Sequence, residues 1–472
     1  LNDAKKAAVS RKKEGVVMEH TYQKIFDLAI LGGQLVMPEY GVIHGDIYVN
    51  DGKVAAVSTK TSLPAKQTIC AEGRYVLPGI VDPHIHLGLM SPMREELEKE
   101  TAAALIGGVT TAGLYVSASD ARLGAFEKLA DDIHSLSHIN INPHFIITRE
   151  DQLCELPQMI ELYGIRSFKV YMHGVPGVVS SSEDSFIVRV MQALRESGKD
   201  CMLCVHCENH SLVCQATEFL KNKTGNLADI TDWECSHPEM AEEEAIQRIS
   251  YYAKKLRQKV YIVHVSSEGG VKMLRMMKKD NPYLFGETTS PYLSLSLENN
   301  LDYHAKMEPP IRGRRHQDAL WRALSDGVID TIGTDNVMIP DEMKYENRSD
   351  IWKIPSGYSV LETHLPSMLS EGVLRRGIPI HQIAAKMTME PAKIFGIYPR
   401  KGSLQPGSDA DITIVNLNAF EQVRAENLHS GSGFSIFEGS HMAGWPCMTV
   451  LGGKIAVADR EIVNRVTGQI VL

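Results

Sequence analysis

Between about Val76 and about Phe395 the chain alternates short apolar, β-branched runs with helical stretches, in eight units over a barrel-sized length. Runs that are apolar throughout, rather than at every second residue, belong to a parallel sheet covered on both faces, and eight such units favour closure into a (β/α)8 barrel. Strands are expected near residues 76–86, 109–116, 141–147, 166–172, 201–207, 259–266, 283–288 and 329–335. Helices are expected between them, among them Arg94 to Gly107, Phe186 to Ser197, Glu242 to Gln258 and Gln317 to Gly327.

Several of these strands carry a polar residue at or near the C-terminal end, where a parallel barrel places its chemistry. His84 and His86 close the first strand, and a separation of two residues on an extended chain points both imidazoles to one side. Lys169 falls on the fourth strand, His206 on the fifth, His264 on the sixth and Asp335 on the eighth. A lone strand histidine is more often a satisfied core residue than a ligand, and a buried lysine more often pairs with a carboxylate. Six such residues in barrel order, each at a strand end, select the metal-ligand reading instead.

Four imidazoles and one carboxylate suit zinc, manganese, cobalt or iron, and zinc is the expected choice. An ammonium would repel a cation, so Lys169 must be neutral or converted. Desolvation and nearby positive charge lower a lysine pKa, and the neutral amine adds carbon dioxide to give a carbamate, a bidentate anion able to bridge two metals. The expected cofactors are therefore two divalent metal ions bridged by N6-carboxylysine at Lys169. A shared hydroxide would be the nucleophile, and Asp335 would hold its proton and pass it to the departing nitrogen. The reaction implied is hydrolysis of an amide-like C–N bond.

Outside the barrel region the grammar is that of strands and turns. Phe26–Leu31, Gly45–Val49 and Lys53–Val57 read as short strands, with a tight turn at Asn50-Asp51-Gly52. Asp411–Val415 and a hairpin over Met448–Val457 follow the barrel. Each end is too small to bury a core alone, so the two are expected to form one β-sandwich. The fold class is thus α/β: a (β/α)8 TIM-like barrel over 76–395 with a β-sandwich domain from 25–75 and 396–472. Residues 1–24 are expected to be a disordered tail, or sequence upstream of a start at Met18, since basic residues without an apolar segment exclude a secretory signal.

A net charge of -9 argues against nucleic acid as a partner. The apolar runs are strand-sized, short of the roughly 20 residues of a membrane span, so no membrane partner is expected. Cys201, Cys204, Cys207 and Cys214 crowd His206, yet on a strand only Cys204 shares its side. Reduced buried thiols in a cytoplasmic protein are the simpler reading.

Val81-Asp82-Pro83-His84-Ile85-His86, Ser167-Phe168-Lys169, Val205-His206-Cys207-Glu208-Asn209, Val263-His264-Val265-Ser266-Ser267, Gly286-Glu287-Thr288, Pro309-Pro310-Ile311-Arg312 and Gly333-Thr334-Asp335 resemble the cyclic amidohydrolases: D-hydantoinases, dihydropyrimidinases and allantoinases of the amidohydrolase superfamily. The resemblance covers the chain from about Phe26 to Val457. It implies a distorted barrel with a β-sandwich, a carboxylated Lys169, two metals, commonly zinc, and opening of a small cyclic imide, ureide or dihydropyrimidine. Members are often homotetramers, so a homo-oligomer, tetramer or dimer, is implied.

Departures from that pattern concern the substrate. Where hydantoinases and dihydropyrimidinases carry a tyrosine that steadies the carbonyl oxygen, this chain has Gly174. By strand alternation Tyr171 and His173 share the inward side with Lys169, and His173 is the preferred replacement. Glu308 stands before the Pro-Pro-Ile-Arg run, and Ser356 aligns with a substrate-contacting asparagine. A carboxylate at 308 would accept ring N–H bonds and repel an acidic substrate. Asn336 follows the catalytic aspartate where histidine is common.

The segment Arg94–Glu100 is expected to be a solvated helix face. The apolar loop Leu87–Met93 before it is a candidate lid or a pocket for a substrate side group. The leading function is a metal-dependent cyclic amidohydrolase of hydantoinase or dihydropyrimidinase type. Allantoinase and dihydroorotase are the nearest alternatives, and a non-catalytic dihydropyrimidinase-related scaffold is a more distant one, because every ligand position is filled.

Overall fold

The computed structural model describes residues 25–59 and 63–472. The tail expected over 1–24, with the start at Met18, lies outside the described residues. The chain opens with β1 (Phe26–Met37), β2 (Gly41–Asn50) and β3 (Lys53–Ser58), an antiparallel meander, followed by β4 (Ala65–Cys70) and β5 (Tyr75–Pro78). Asp51 and Gly52 both have positive φ, +50° and +73°, as a two-residue hairpin turn between right-twisted strands requires. A register shift between Ile30 and Gly33 bends β1, so that its first half pairs with β4 and its second half with β5.

The barrel follows as β6 (Ile80–His86), β7 (Val109–Val116), β8 (Asn140–Ile146), β9 (Ser167–Tyr171), β10 (Met202–His206), β11 (Lys259–Ile262), β12 (Leu284–Thr289), β13 (Thr331–Gly333) and β14 (Asn336–Val337). All are parallel and pair in chain order. β13 and β14 are the two halves of the eighth strand: β13 pairs with β12, β14 pairs with β6, and the ring closes there.

The run expected as one strand over 76–86 is two. Val76 and Leu77 lie in β5, which pairs with β1, and the chain crosses into the barrel at Gly79. A Cβ there would lie 2.1 Å from Thr110 Oγ1, so only glycine lets β6 approach β7 that closely.

After the barrel come β15 (Ile412–Val415), a small ladder of β16 (Phe420–Gln422) with β17 (His441–Ala443), and then β18 (Pro446–Leu451), β19 (Lys454–Ala458) and β20 (Glu461–Ile462). β15 pairs with β5 and β18, which joins the two chain ends in one nine-stranded sheet. Leu28, Ile30 and Ile47 from one end meet Leu404, Ile412 and Val450 from the other in a single apolar cluster. Burial of each such side chain is worth about 1.5–3 kcal/mol, which neither end could assemble alone.

Inside the barrel, Tyr115, Ile146, Tyr171, Met202, Cys204, Tyr261 and Val263 pack together beneath the strand ends. Cys204 faces this interior, whereas Cys201 and Cys207 join the larger cluster between strands and helices, as the two-residue alternation of β10 demands. The last residues seal the far end: Val471 packs on Val81, Ala392 and Ile397, and its N–H donates to the carbonyl of Ile141 at 2.8 Å. Among the described residues, no helix is long and apolar enough to cross a membrane.

Candidate active site

All six residues expected as ligands line one cavity of about 50 Å³ at the mouth of the barrel. His84 and His86 reach it from the end of β6, with their Nε2 atoms 3.2 Å apart. Asp335 Oδ1 stands 3.1 Å from the first and 3.4 Å from the second. Asp335 sits between the two halves of the eighth strand with φ +54°, and its N–H donates to the His84 carbonyl at 2.9 Å. That left-handed residue interrupts the strand and turns the carboxylate inward; aspartate tolerates the conformation better than most residues do.

His264 was expected inside a strand spanning 259–266, but β11 ends at Ile262. His264 lies two residues beyond, with φ +39°. Its imidazole meets that of His206 from β10, Nε2 to Nδ1 at 3.0 Å. A non-glycine residue held at positive φ stores strain, and such strain concentrates where a side chain must be aimed.

Lys169, in the middle of β9, is fully buried, and its Nζ finds no hydrogen-bond partner among the described residues. It lies 4.8 Å from the ring centre of Tyr115 and 4.9 Å from that of Tyr171. Burial brings its pKa down to about 8. Burial would raise the Asp335 carboxyl, but its close contacts with His84 and His86 outweigh it and hold the group at about 2. Burial drives His84 and His264 well below the ordinary histidine value, so both are neutral imidazoles.

A ring of carboxylates behind the ligands sets which nitrogens are free. Glu287 on β12 faces His84 Nδ1 at 3.0 Å and accepts the His264 N–H at 3.1 Å. Glu208 faces His206 Nε2 at 3.0 Å. Each carboxylate fixes the tautomer that leaves a lone pair on the opposite nitrogen, His84 Nε2 and His206 Nδ1. Asp82 accepts from Thr334 Oγ1 at 2.6 Å and from the His84 N–H at 3.1 Å, tying the first strand to the eighth. Glu242 accepts the N–H groups and hydroxyls of Ser266 and Ser267 just past His264. No site role attaches to these four acids on sequence grounds, although Asp82, Glu208 and Glu287 stand within the motifs that carry the family resemblance.

The donor set fits a metal centre. His84, His86 and Asp335 offer three ligand atoms within 4.8 Å of one another. His206 Nδ1 and His264 Nε2 meet at 3.0 Å, and Lys169 brings a nitrogen with no hydrogen-bond partner among the described residues into the same cavity. A buried cluster of nitrogen and carboxylate donors is what a transition cation satisfies.

Glu308 and Ser356 line this cavity and also a larger one of about 620 Å³ beside it, whose other walls include His173, Trp233, His237, Lys306 and Trp352. Ser356 Oγ donates to Glu308 Oε1 at 2.8 Å. Tyr171 lines the cavity of the six residues, whereas His173, the residue preferred from alternation, lines the adjoining one. β9 ends at Tyr171, so the period of two no longer governs residue 173. His173 instead directs Nδ1 at His210, 3.1 Å away, and lines the larger chamber. At Gly174 the following loop turns back so tightly that a Cβ would lie 2.5 Å from Ser181 N. A tyrosine has no room there.

The segment Arg94–Glu100 is only in part a solvated face. Glu96 and Glu100 are buried. Glu96 accepts the N–H groups of Gly88 and Ser91 at 2.9 and 3.1 Å, and Glu100 accepts from Gly431 N–H at 2.7 Å. The i, i+4 spacing sets both carboxylates on the inner face of the helix Met93–Ile106, where unpaired loop amides needed acceptors. The loop Leu87–Met93 is thereby pinned, with Leu89 and Met90 facing the metal cavity. Asn336 accepts the Val360 N–H at 2.8 Å and so holds the chain just past Ser356.

A closed parallel barrel with neutral imidazoles, an ionised carboxylate and a de-energised lysine at its mouth defines the class: a metal-dependent hydrolase. The model of the amidohydrolase family matches residues 75–456. The chain belongs to that family, in its cyclic amidohydrolase group. It is 32% identical over 451 residues to an L-hydantoinase of Paenarthrobacter aurescens, covering 93% of this chain and 96% of that one. It is 30% identical to a dihydroorotase of Bacillus cereus strain AH820, covering 90% and 96%. The solved L-hydantoinase (dihydropyrimidinase) from Arthrobacter aurescens superimposes with a TM-score of 0.89 at 30% identity, over 94% of this chain and 99% of that one.

Proposed function

We propose that this cyclic amidohydrolase opens five- or six-membered cyclic amides and ureides of the hydantoin or dihydropyrimidine type. The observation that carries this reading is the buried, unpartnered Lys169 Nζ in one cavity with four imidazoles and Asp335. His84, His86 and Asp335 would hold one divalent metal, His206 and His264 the other, and a carboxylated Lys169 would join them. When bound, the metals, zinc by preference, would polarise the scissile carbonyl and supply water acidified toward neutrality.

The remaining work falls to the protein's own groups. Asp335 Oδ1, ionised and aimed into the cavity, would take the proton of the attacking water and deliver it to the departing ring nitrogen. Tyr171 would donate its hydroxyl to the developing oxyanion, because it lines the metal cavity while Gly174 has no side chain to offer. Glu308, steadied by Ser356, would accept a ring N–H. Leu89 and Met90 would exclude water over the ring. Residues 76–395 would form the hydrolase unit and 25–75 with 396–472 its companion, in a homo-oligomer of two or four chains.

The test is a hydrolysis screen of the metal-loaded protein against hydantoin, substituted hydantoins, dihydrouracil, allantoin, dihydroorotate and simple cyclic imides, with metal analysis of the same sample. Turnover of hydantoins or dihydrouracil with about two metals per chain supports the proposal. Exclusive turnover of dihydroorotate or allantoin would move the assignment, and a metal-free protein inert to all of them would favour a scaffold.

A further inference from the structure

We propose that His173, His237 and Glu308 form a separate cation site on the wall of the larger chamber, suited to a divalent transition ion such as zinc. The three residues are buried, and their ligand atoms lie within 4.8 Å of one another. They share no member with the six-residue cluster.

Three buried ligand groups converge there. His237 Nδ1 stands 3.2 Å from the Trp233 carbonyl and 2.9 Å from Ser236 Oγ; that hydroxyl donates to the same carbonyl at 2.7 Å, so with both oxygens accepting the hydrogen is placed on Nδ1. Its Nε2 is then an acceptor, and it is buried with no partner among the described residues. His173 Nδ1 meets His210 Nδ1 at 3.1 Å, and when it is the donor of that bond, Nε2, 4.0 Å from Glu308 Oε2, keeps its lone pair. Glu308 Oε1 is satisfied by Ser356, whereas Oε2 is buried with no hydrogen-bond partner among the described residues.

Arg312 Nη1 is taken by the His237 carbonyl at 2.8 Å, and Lys306 is engaged elsewhere. Lys306 Nζ donates to the Ile354 carbonyl at 2.6 Å and lies 3.9 Å from the ring centre of Trp233. Unpaired acceptors in a buried cluster are costly, and two imidazoles with one carboxylate make a ligand set that transition ions satisfy. The position has a consequence. A cation held by Glu308 would occupy the wall shared by the two cavities, so excess metal should inhibit an enzyme whose other metals are already in place.

The site can be counted directly. The full-length protein, wild type and carrying His237→Gln or Glu308→Gln, is equilibrated with increasing zinc and analysed for bound metal, with circular dichroism to confirm folding. His84→Ala serves as the reference for the other cluster. Wild type is expected to bind one zinc per chain more than either His237→Gln or Glu308→Gln, at zinc levels above those that saturate the cluster lost in His84→Ala. Inhibition of wild type by excess zinc should weaken at least tenfold in His237→Gln. Equal zinc content in wild type and both folded variants would overturn the site. If His84→Ala loses zinc while the His237 and Glu308 variants do not, this inference fails and the proposed function stands.

Discussion

The Nδ1 atom of His84 stands 3.0 Å from Glu287 Oε2, with both side chains fully buried. The same oxygen accepts the backbone N–H of His264, so one carboxyl group on β12 holds the His84 imidazole and the main chain at His264. Glu287→Gln keeps the shape but puts an amide, which can donate as well as accept, where the carboxyl oxygen fixes the His84 tautomer. Metal affinity is expected to fall by about 10–100-fold. Competition with a chelator measures this, and unchanged affinity would refute the role.

Tyr171 and His173 compete for the task that Gly174 cannot perform. Tyr171→Phe is expected to lower kcat about 100-fold, the usual cost of one oxyanion donor. His173→Ala, assayed with metal just sufficient for the cluster around His84, should lower it less than tenfold. The reverse order would restore the assignment drawn from strand alternation.

Gly79 carries the chain from the sheet to the barrel against Thr110. Gly79→Ala is expected to cost about 1–3 kcal/mol, measured by denaturant unfolding, because the new methyl meets the Thr110 side chain. Thr110→Ala in the same chain should recover part of that loss. Additive losses in the double variant would place the strain elsewhere.

His304 lies between Asp302, 3.0 Å from Nδ1, and Asp341, 2.8 Å from Nε2. Burial alone would lower its pKa, but the two carboxylates outweigh it and raise the value above 6.5. The folded state therefore binds the proton more tightly than the unfolded chain. The stabilisation is complete below about pH 6.5 and is lost as pH rises through the folded value. Melting temperatures of wild type and His304→Gln should differ most near pH 5–6 and converge toward pH 9. A gap independent of pH would sink this.

Much of the site was legible because each strand of a parallel barrel delivers its terminal side chain to the same mouth. His84, His86, Lys169, His206, His264 and Asp335 could thus be grouped from far-apart positions. The departures begin where strands stop. His264 and Asp335 lie just off strand ends at positive φ, and His173 lies beyond β9, so a period of two misdirected the expectation for it. The burial of Glu96 and Glu100 was equally hidden, since their partners Gly88, Ser91 and Gly431 are loop amides placed by other parts of the chain.

By itself the sequence determined the barrel, the strand order and the six inward residues, because local periodicity and strand-end placement are properties of short segments. Only the tertiary structure decided which imidazole nitrogens face carboxylates, that Tyr171 rather than His173 lines the cavity of the six residues, and where His173, His237 and Glu308 meet. Those depend on hydrogen-bond partners and turn conformations from segments far apart in the chain, such as Glu287 behind His84 and Ser181 against Gly174, and no local pattern encodes them.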